Sequence, residues 1–138
     1  MNTLLILPII VPAVTGMLVL LVQNHRGVQR GISVVGATVL FGVGAALVYQ
    51  VRAHGIQAAQ MGDWPAPFGI TLVADYLGAV MVVITAITAF ATALYAMGDI
   101  DEAKERLGYH ALFNLLIAGV TGAFLTGDLF NLFVWFEV

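Results

Sequence analysis

The chain has 138 residues, of which 61% are hydrophobic and only 9% are charged, and its mean hydropathy is +1.00. Ordinary soluble domains carry about 25% charged residues, so this chain has too few charges to coat a particle in water. The net charge of −3 gives no reason to expect a nucleic-acid partner, and the lack of cysteine excludes disulfides, iron–sulfur clusters and thiol catalysis. We therefore expect a lipid bilayer as the solvent and an all-α membrane protein, a polytopic helix bundle.

Four apolar stretches are long enough to cross the hydrocarbon core as helices, which takes roughly 20 residues each. A fifth stretch, at the end of the sequence, offers only about half a span. Since half a span would leave backbone groups in lipid, we expect the chain to be the N-terminal portion of one longer transmembrane domain, or a partner to supply the remainder. The expected helices cover residues 3–22, 31–51, 76–97, 108–126 and, incompletely, 128–138.

Basic residues are distributed unevenly between the loops, and this predicts the orientation. The first loop contains Arg26 and Arg30, and the third contains Lys104 and Arg106. The second contains Arg52 alone. Because loops rich in Lys and Arg stay on the cytoplasmic side of a bacterial-type inner membrane, we place the N-terminus outside. The fifth stretch then enters the membrane from the outer face.

The second and third loops carry local signals. Residues 52–75 form a long external loop in which glycines and prolines separate two short apolar stretches. This pattern fits a hairpin lying over the helix bundle, and it equally fits an irregular loop. In the third loop, Asp99 and Glu102 fit a capping box, and Glu102 and Arg106 have the spacing of a helical ion pair. We interpret the third loop as a solvated helix start with no further role.

Three polar residues form a stripe on the fourth expected helix. His110 and Asn114 are four residues apart, and Thr121 lies three full turns beyond His110. A polar stripe in a membrane helix turns away from lipid, so it either packs against neighbouring helices or lines a hydrated proton path. We expect neither a metal nor a cofactor, because no second His, Cys or carboxylate sits at ligand spacing beside His110.

Glu137 lies within the apolar sequence GDLFNLFVWFEV, residues 127–138. It follows Asp128 by nine residues, about 13 Å of helix, which brings it close to the middle of the hydrocarbon core. Asp128 lies on the opposite side of that helix and, with Asn131, is expected to cap its start. A carboxylate near the membrane centre costs at least about 2.5–3.5 kcal/mol, so we expect a function for Glu137, the alternative being a structural hydrogen bond to another helix.

The segments DWPAPFGITLVAD and GDLFNLFVWFEV together resemble the antiporter-like membrane subunits shared by respiratory complex I and Mrp-type multisubunit cation/proton antiporters. The combination is most similar to the D-type subunits of Mrp antiporters. The resemblance implies that Glu137 transfers protons opposite a lysine on a later, discontinuous helix. That lysine has no counterpart in this sequence, because its only lysine, Lys104, lies in a loop.

The resemblance also implies a function for the whole protein. It implies a proton-translocating subunit of a sodium or potassium/proton antiporter, a transporter subunit and not an enzyme, assembled with other membrane subunits. Two alternatives remain. One is an antiporter-like subunit of a redox-driven proton pump, of the NADH:quinone oxidoreductase or hydrogenase type, and the other is a non-conducting scaffold subunit.

Overall fold

The structure, a computed structural model, describes residues 3–64 and 68–138. Within these ranges the helices are α1 (Thr3–Leu21), α2 (Arg26–His54), α3 (Tyr76–Asp99), α4 (Glu102–Arg106), α5 (Tyr109–Phe124) and α6 (Leu129–Glu137). Two strands, β1 (Gln57–Gln60) and β2 (Thr71–Ala74), lie between α2 and α3, and one 3-10 turn (Met61–Asp63) follows β1. The predicted class, an all-α membrane helix bundle, is confirmed, with a small hairpin added at one end.

The helices differ in length from those expected. Only α1, α2 and α3 among the described elements are long and apolar enough to span a membrane. α5 is the fourth apolar helix and is shorter than the other three, with 16 residues, about 24 Å of helix. It begins after Gly108, which has a left-handed conformation (φ 91°), and it ends early because the residues after Phe124 bond to the hairpin.

α2 extends beyond the predicted 31–51 at both ends. It starts at Arg26 and runs for 29 residues. Its first turns accommodate Arg26 and Arg30 because both arginines donate to a carboxylate, Glu105, which neutralises charge at that end of the bundle. Gly55, with φ 77°, follows the last residue of the helix.

The bundle packs α1 between α2 and α5, and α3 against α2. The buried face of α3 is made almost entirely of small residues, namely Gly78, Ala79, Val82, Thr85, Ala86, Ala89, Ala93 and Ala96. Small residues allow helix backbones to approach closely, which matters in lipid because close packing, not burial from water, holds membrane helices together. Leu5, Leu40 and Leu47 fill the space between the helices.

β1 and β2 pair as an antiparallel hairpin, so of the two interpretations of residues 52–75 the hairpin is correct. Gln60 pairs with Thr71, and Leu72 and Ala74 are buried against the bundle. The segment that follows α5 joins the free edge of β2, where Thr126 forms a bridge with Leu72. The prolines that separate the two apolar stretches of this loop, Pro65 and Pro67, lie outside the described residues.

Candidate functional site

Glu137 lies in the last turn of α6, on the same face as Phe130, Phe133 and Val134. All four side chains are exposed at the surface of the described bundle. The Glu137 side chain makes no hydrogen bond or ion pair with any residue in the ranges 3–64 and 68–138. An apolar helix face of this kind is covered by lipid or by protein, and a carboxylate facing hydrocarbon is costly. The position of Glu137 therefore favours contact with further protein or with water.

α5 fixes the position of α6 through a close contact between a tryptophan and two glycines. A methyl group at Gly122 would overlap the Trp135 indole ring, and one at Gly119 would lie 3.3 Å from the Trp135 carbonyl oxygen. Trp135 is two residues from Glu137 in the same short helix. The glycines thus set the level of the carboxylate relative to α5.

The predicted polar stripe is present and lies inside the bundle. His110, Asn114 and Thr121 are 1%, 5% and 0% exposed. The Asn114 amide donates to the His110 carbonyl oxygen (2.7 Å) and to Ser33 Oγ in α2 (3.2 Å). Ser33 is a partner that the sequence analysis missed, since an isolated serine in an apolar helix gives no signal of its own.

Thr121 supplies a hydrogen-bond donor to a carbonyl oxygen of α1 that lacks its helical partner. Pro12 has no N–H, so the carbonyl oxygen of Pro8, four residues earlier, lacks its helical donor. Thr121 Oγ1 lies 2.9 Å from that oxygen. It is also 2.9 and 3.0 Å from the carbonyl oxygens of Ile117 and Ala118 in its own helix. α1 continues through both prolines, and Thr121 links it to α5.

A buried ion cluster, the Glu105 cluster, joins the beginnings of α2 and α5. It consists of Arg26, Arg30, Glu105 and His110. Glu105 Oε2 accepts from Arg26 Nε (2.5 Å), and Oε1 accepts from Arg30 Nε (2.6 Å). His110 Nε2 lies 3.2 Å from the same Oε1, and the Glu105 and His110 side chains are each 1% exposed. In the neutral ring that donates from Nε2, Nδ1 is a buried acceptor without a partner among the described residues.

The Glu105 cluster corrects the interpretation of the third loop. The ion pair between Glu102 and Arg106 is confirmed at 2.7 Å. The capping box is wrong, because Asp99 still belongs to α3 and α4 starts after Asp101. A solvated helix start without further role is wrong too, because Glu105 is buried beside His110. The chain reverses at Gly108, and this places the Glu105 carboxylate against His110, which follows it by five residues.

Two features of the surroundings of Glu105, its burial and its hydrogen bonds, have opposite effects on the pKa of its carboxyl group. Burial by itself raises the pKa of this carboxyl, whereas hydrogen bonds from Arg30, Arg26 and His110 lower it. The hydrogen bonds prevail, and the pKa falls from 4.5 to about 2. The group is therefore a carboxylate throughout the physiological range. In the part of the chain that the structure describes, no three His, Cys, Asp or Glu side chains are placed to hold a metal ion.

The polar stripe and Glu137 lie on opposite sides of α5. Gly119, which contacts α6, follows His110 by nine residues, or two and a half turns. The stripe contacts α1 and α2, whereas α6 lies on the glycine side. These contacts favour the packing interpretation of the stripe. A role of His110 in proton transfer stays a prediction.

These features define a multi-pass helical membrane protein with a lone carboxylate on an apolar helix face. Curated relatives match the whole of this chain. The D-type subunits of the Na(+)/H(+) antiporters of Alkalihalophilus pseudofirmus and Bacillus subtilis are 41% and 38% identical to it over 138 residues, which is 28% of each relative. The D-type subunit of a probable K(+)/H(+) antiporter of Rhizobium meliloti is 42% identical over 144 residues, 26% of its length. No protein-family model matches the chain.

Two solved structures share the fold. A membrane-bound sulfane sulfur reductase, an archaeal respiratory membrane complex, matches 96% of this chain and 28% of its own with a TM-score of 0.87 and 26% identity. The Mrp complex from Dietzia sp. matches 99% of this chain and 26% of its own with a TM-score of 0.83 and 30% identity. The chain is thus a homologue of the D-type antiporter subunits, and the predicted resemblance is confirmed. It spans about 28% of the length of the curated relatives that it matches.

Proposed function

We propose that this chain is part of a proton-translocating subunit of a multisubunit antiporter that exchanges sodium or potassium for protons. Glu137 takes up and releases the proton inside the membrane. The observation that carries the proposal is the position of Glu137, exposed on an apolar face of α6, in a chain whose relatives are D-type antiporter subunits.

A carboxylate suits proton transfer in a dry medium because it is stable there either neutral or paired with a cation. The exposed rings of Phe130, Phe133 and Phe136 surround Glu137 on α6. Once neighbouring helices cover this face, the rings exclude bulk water and so limit proton leakage. The lysine that the resemblance implies would stabilise the charged form, and a change in its distance or charge would release the proton.

We further propose that other membrane subunits of the complex pack around this subunit in the cell membrane, with the N-terminus outside. Contacts support the shared location of the first and third loops, because Arg26 in α2 pairs with both Glu102 and Glu105 in α4. The hairpin and the start of α6 lie at the other end.

The orientation is tested with single cysteines in a chain that has none. Ala58 in the hairpin and Ala103 in α4 are both exposed, so the substitution is small and matched. A thiol label that does not cross membranes should reach Ala58→Cys from outside intact cells and Ala103→Cys only in inverted vesicles. The reverse pattern would contradict the orientation.

The proton-transfer role is tested by replacing Glu137 in the full-length protein, assembled with its partners in membrane vesicles. Glu137→Gln keeps the size and hydrogen bonding but cannot exchange a proton, so cation/proton exchange should be abolished with assembly intact. Glu137→Asp should keep partial activity, because the carboxylate survives with shorter reach. Asp99→Asn is the control, an exposed carboxylate at the end of α3. Wild-type exchange in Glu137→Gln, with the complex intact, would contradict the proposal and favour a scaffold subunit.

His110 is tested separately, because it lies on the opposite side of α5 from Glu137. His110→Gln keeps a donor towards Glu105 but cannot gain a proton. If His110 carries protons, exchange should slow in this variant while assembly is preserved. If His110 only packs the Glu105 cluster, exchange should stay close to wild type in His110→Gln and assembly should weaken in His110→Ala.

A second candidate function is a subunit of a redox-driven proton pump. It is supported by the similarity to the membrane-bound sulfane sulfur reductase, with a TM-score of 0.87. The two functions differ in their driving force. Proton uptake into vesicles that follows addition of a reductant favours the redox pump, whereas uptake that follows a sodium or potassium gradient alone favours the antiporter.

A further inference from the structure

The Asp128 carboxylate connects the hairpin to the helix that carries Glu137. Its Oδ1 accepts from the backbone N–H of Asn131 (2.7 Å) and so caps α6, as the sequence predicts. Its Oδ2 accepts from the backbone N–H of Thr71 in β2 (3.0 Å). One side chain therefore bonds to two elements that are 57 residues apart in the sequence.

The connection continues along the free edge of β2. The Val73 N–H donates to the Leu125 carbonyl oxygen, and the Gly127 N–H donates to the Thr71 carbonyl oxygen, both at 2.7 Å. Leu125 is 0% exposed. The residues before α6 thus act as a short third strand, and the hairpin is an anchor for the start of the helix.

A second hydrogen-bonded link stiffens the same turn. The buried Asn131 side chain donates to Thr126 Oγ1 (2.9 Å), and this hydroxyl donates to the Asp128 carbonyl oxygen (3.2 Å). Asn131 is the only buried residue of α6 in the described chain. Within the described residues, α6 is held by its N-terminal attachment and by the contact of Trp135 with α5.

We infer that Asp128 is a positioning residue for proton transfer: by tying α6 to β2, its carboxylate sets the depth and rotation at which Glu137 stands. The inference rests on the proposed function of Glu137. α6 is a single rigid helix, and Glu137 lies nine residues, about 13 Å, beyond Asp128. A small change in tilt or rotation at the start of the helix therefore changes the depth of Glu137 in the apolar layer and its distance from the groups that exchange the proton.

Asp75 provides a matched control at the same end of the bundle. It follows β2 directly and caps α3, its Oδ1 accepting from the Gly78 N–H (2.6 Å). Its side chain makes no hydrogen bond to the hairpin in the described residues. The two aspartates thus share the helix cap, and only Asp128 adds the bond to Thr71.

The test replaces each aspartate by asparagine in the full-length protein, assembled in its complex. Asparagine caps a helix as well as aspartate does. In Asp128→Asn the amide nitrogen meets the Thr71 N–H, so the cap is kept and the link to β2 is lost. Asp128→Ser is the second variant, because serine also caps and offers a single oxygen. Asp75→Asn and Asp75→Ser keep all described contacts of that site.

Two measurements separate the link from its consequence. Hydrogen–deuterium exchange of the peptide containing Thr71 should be at least about tenfold faster in the Asp128 variants and unchanged in the Asp75 variants. The pH of half-maximal cation/proton exchange should shift by about 0.5–1 unit in the Asp128 variants only, because a displaced α6 changes the surroundings of the carboxylate that is proposed to carry the proton. A variant that merely destabilises the protein would lower the amount of complex and leave this pH unchanged.

The outcomes are distinct. Unchanged hydrogen exchange at Thr71 overturns the link, and faster hydrogen exchange with a wild-type pH profile overturns the positioning role. Failure of both Asp128 variants to assemble, when both Asp75 variants assemble, also overturns it, since the residue is then needed for folding. If Glu137→Gln retains transport while the Asp128 variants shift the pH profile, the proposed function of Glu137 fails, whereas the role of the hairpin in transport survives.

Discussion

The two ends of the bundle are held together by different chemistry. At the end where α2 and α5 begin, side-chain charges meet, with both oxygens of Glu105 bound to arginines at 2.5 and 2.6 Å. At the hairpin end, the links run mainly through the backbone, with Val73 and Gly127 each donating to a carbonyl oxygen at 2.7 Å.

The difference shows which end responds to its surroundings. Backbone amides do not titrate in the physiological range, whereas the stabilisation that a buried carboxylate gains from two arginines depends on its charge. The backbone links at the hairpin end are therefore insensitive to pH, whereas the Glu105 end depends on a buried side-chain charge. Variants at the two ends should differ accordingly.

The largest expected effect is at Glu105. Glu105→Ala leaves Arg26 and Arg30 without their carboxylate and should lower the free energy of unfolding by roughly 2–3 kcal/mol, less than for a fully buried pair because the arginines are 39% and 23% exposed. Asp75→Ala, at the hairpin end, removes one helix cap and should cost about 1 kcal/mol. Thermal unfolding of the full-length protein in detergent measures the loss of stability in both variants. Equal losses in Glu105→Ala and Asp75→Ala would contradict the expectation that the Glu105 end depends more strongly on side-chain charge.

Acid should reveal the same difference. Because the pKa of Glu105 is lowered from 4.5 to about 2, its carboxylate stabilises the fold above pH 4.5, and this contribution is lost as the pH falls towards 2. The unfolding temperature of the wild type should decline through this window. Glu105→Gln, which has no charge to lose, should show a shallower decline, and Asp75→Asn should decline as the wild type does. Parallel curves for wild type and Glu105→Gln would show that Glu105 is not the responsible group.

Between the two ends, Thr121 tests the role of the prolines in α1. Thr121→Val keeps the shape but leaves the Pro8 carbonyl oxygen without a donor, and it should cost about 1–2 kcal/mol. Thr88→Val is the control, because among the described residues the exposed Thr88 hydroxyl donates only to the carbonyl oxygen of Ile84 in its own helix (2.9 Å). Thr121→Val should unfold at a clearly lower temperature than Thr88→Val. Similar values would mean that the bond from Thr121 to the Pro8 carbonyl oxygen does not stabilise the protein.

The smallest expected effect is at the exposed edge of the Glu105 end. Arg106 pairs with Glu102 at the surface, where its side chain is 74% exposed. Arg106→Ala should cost roughly 0.5 kcal/mol or less, and this loss should vanish in high salt. Arg30→Ala should cost more, because it removes a donor from the buried Glu105. A loss in Arg106→Ala as large as in Arg30→Ala would contradict the distinction between exposed and buried pairs.

Local chemistry alone determined much of this protein. Twenty-residue apolar stretches predict membrane helices because lipid offers no partner for an open backbone. The spacing of His110, Asn114 and Thr121 predicts one helix face because a helix repeats every 3.6 residues. Asp128 predicts a cap, and the sequence around Glu137 predicts a carboxylate among aromatic rings. Each of these inferences needs only residues that are close together in the chain.

Only the tertiary structure decided which of these elements meet. Glu105 contacts arginines 79 and 75 residues away, and Thr121 reaches an oxygen 113 residues away. Nothing in the local pattern of α4 separates Glu105 from the exposed Glu102, so the sequence analysis described the whole third loop as solvated and did not single out Glu105. Likewise, the polar stripe and Glu137 are close together in the sequence, yet the stripe faces α1 and α2 whereas α6, which carries Glu137, lies on the opposite side of α5. Contacts across the bundle depend on how helices pack against one another, and a single helix does not encode its neighbours.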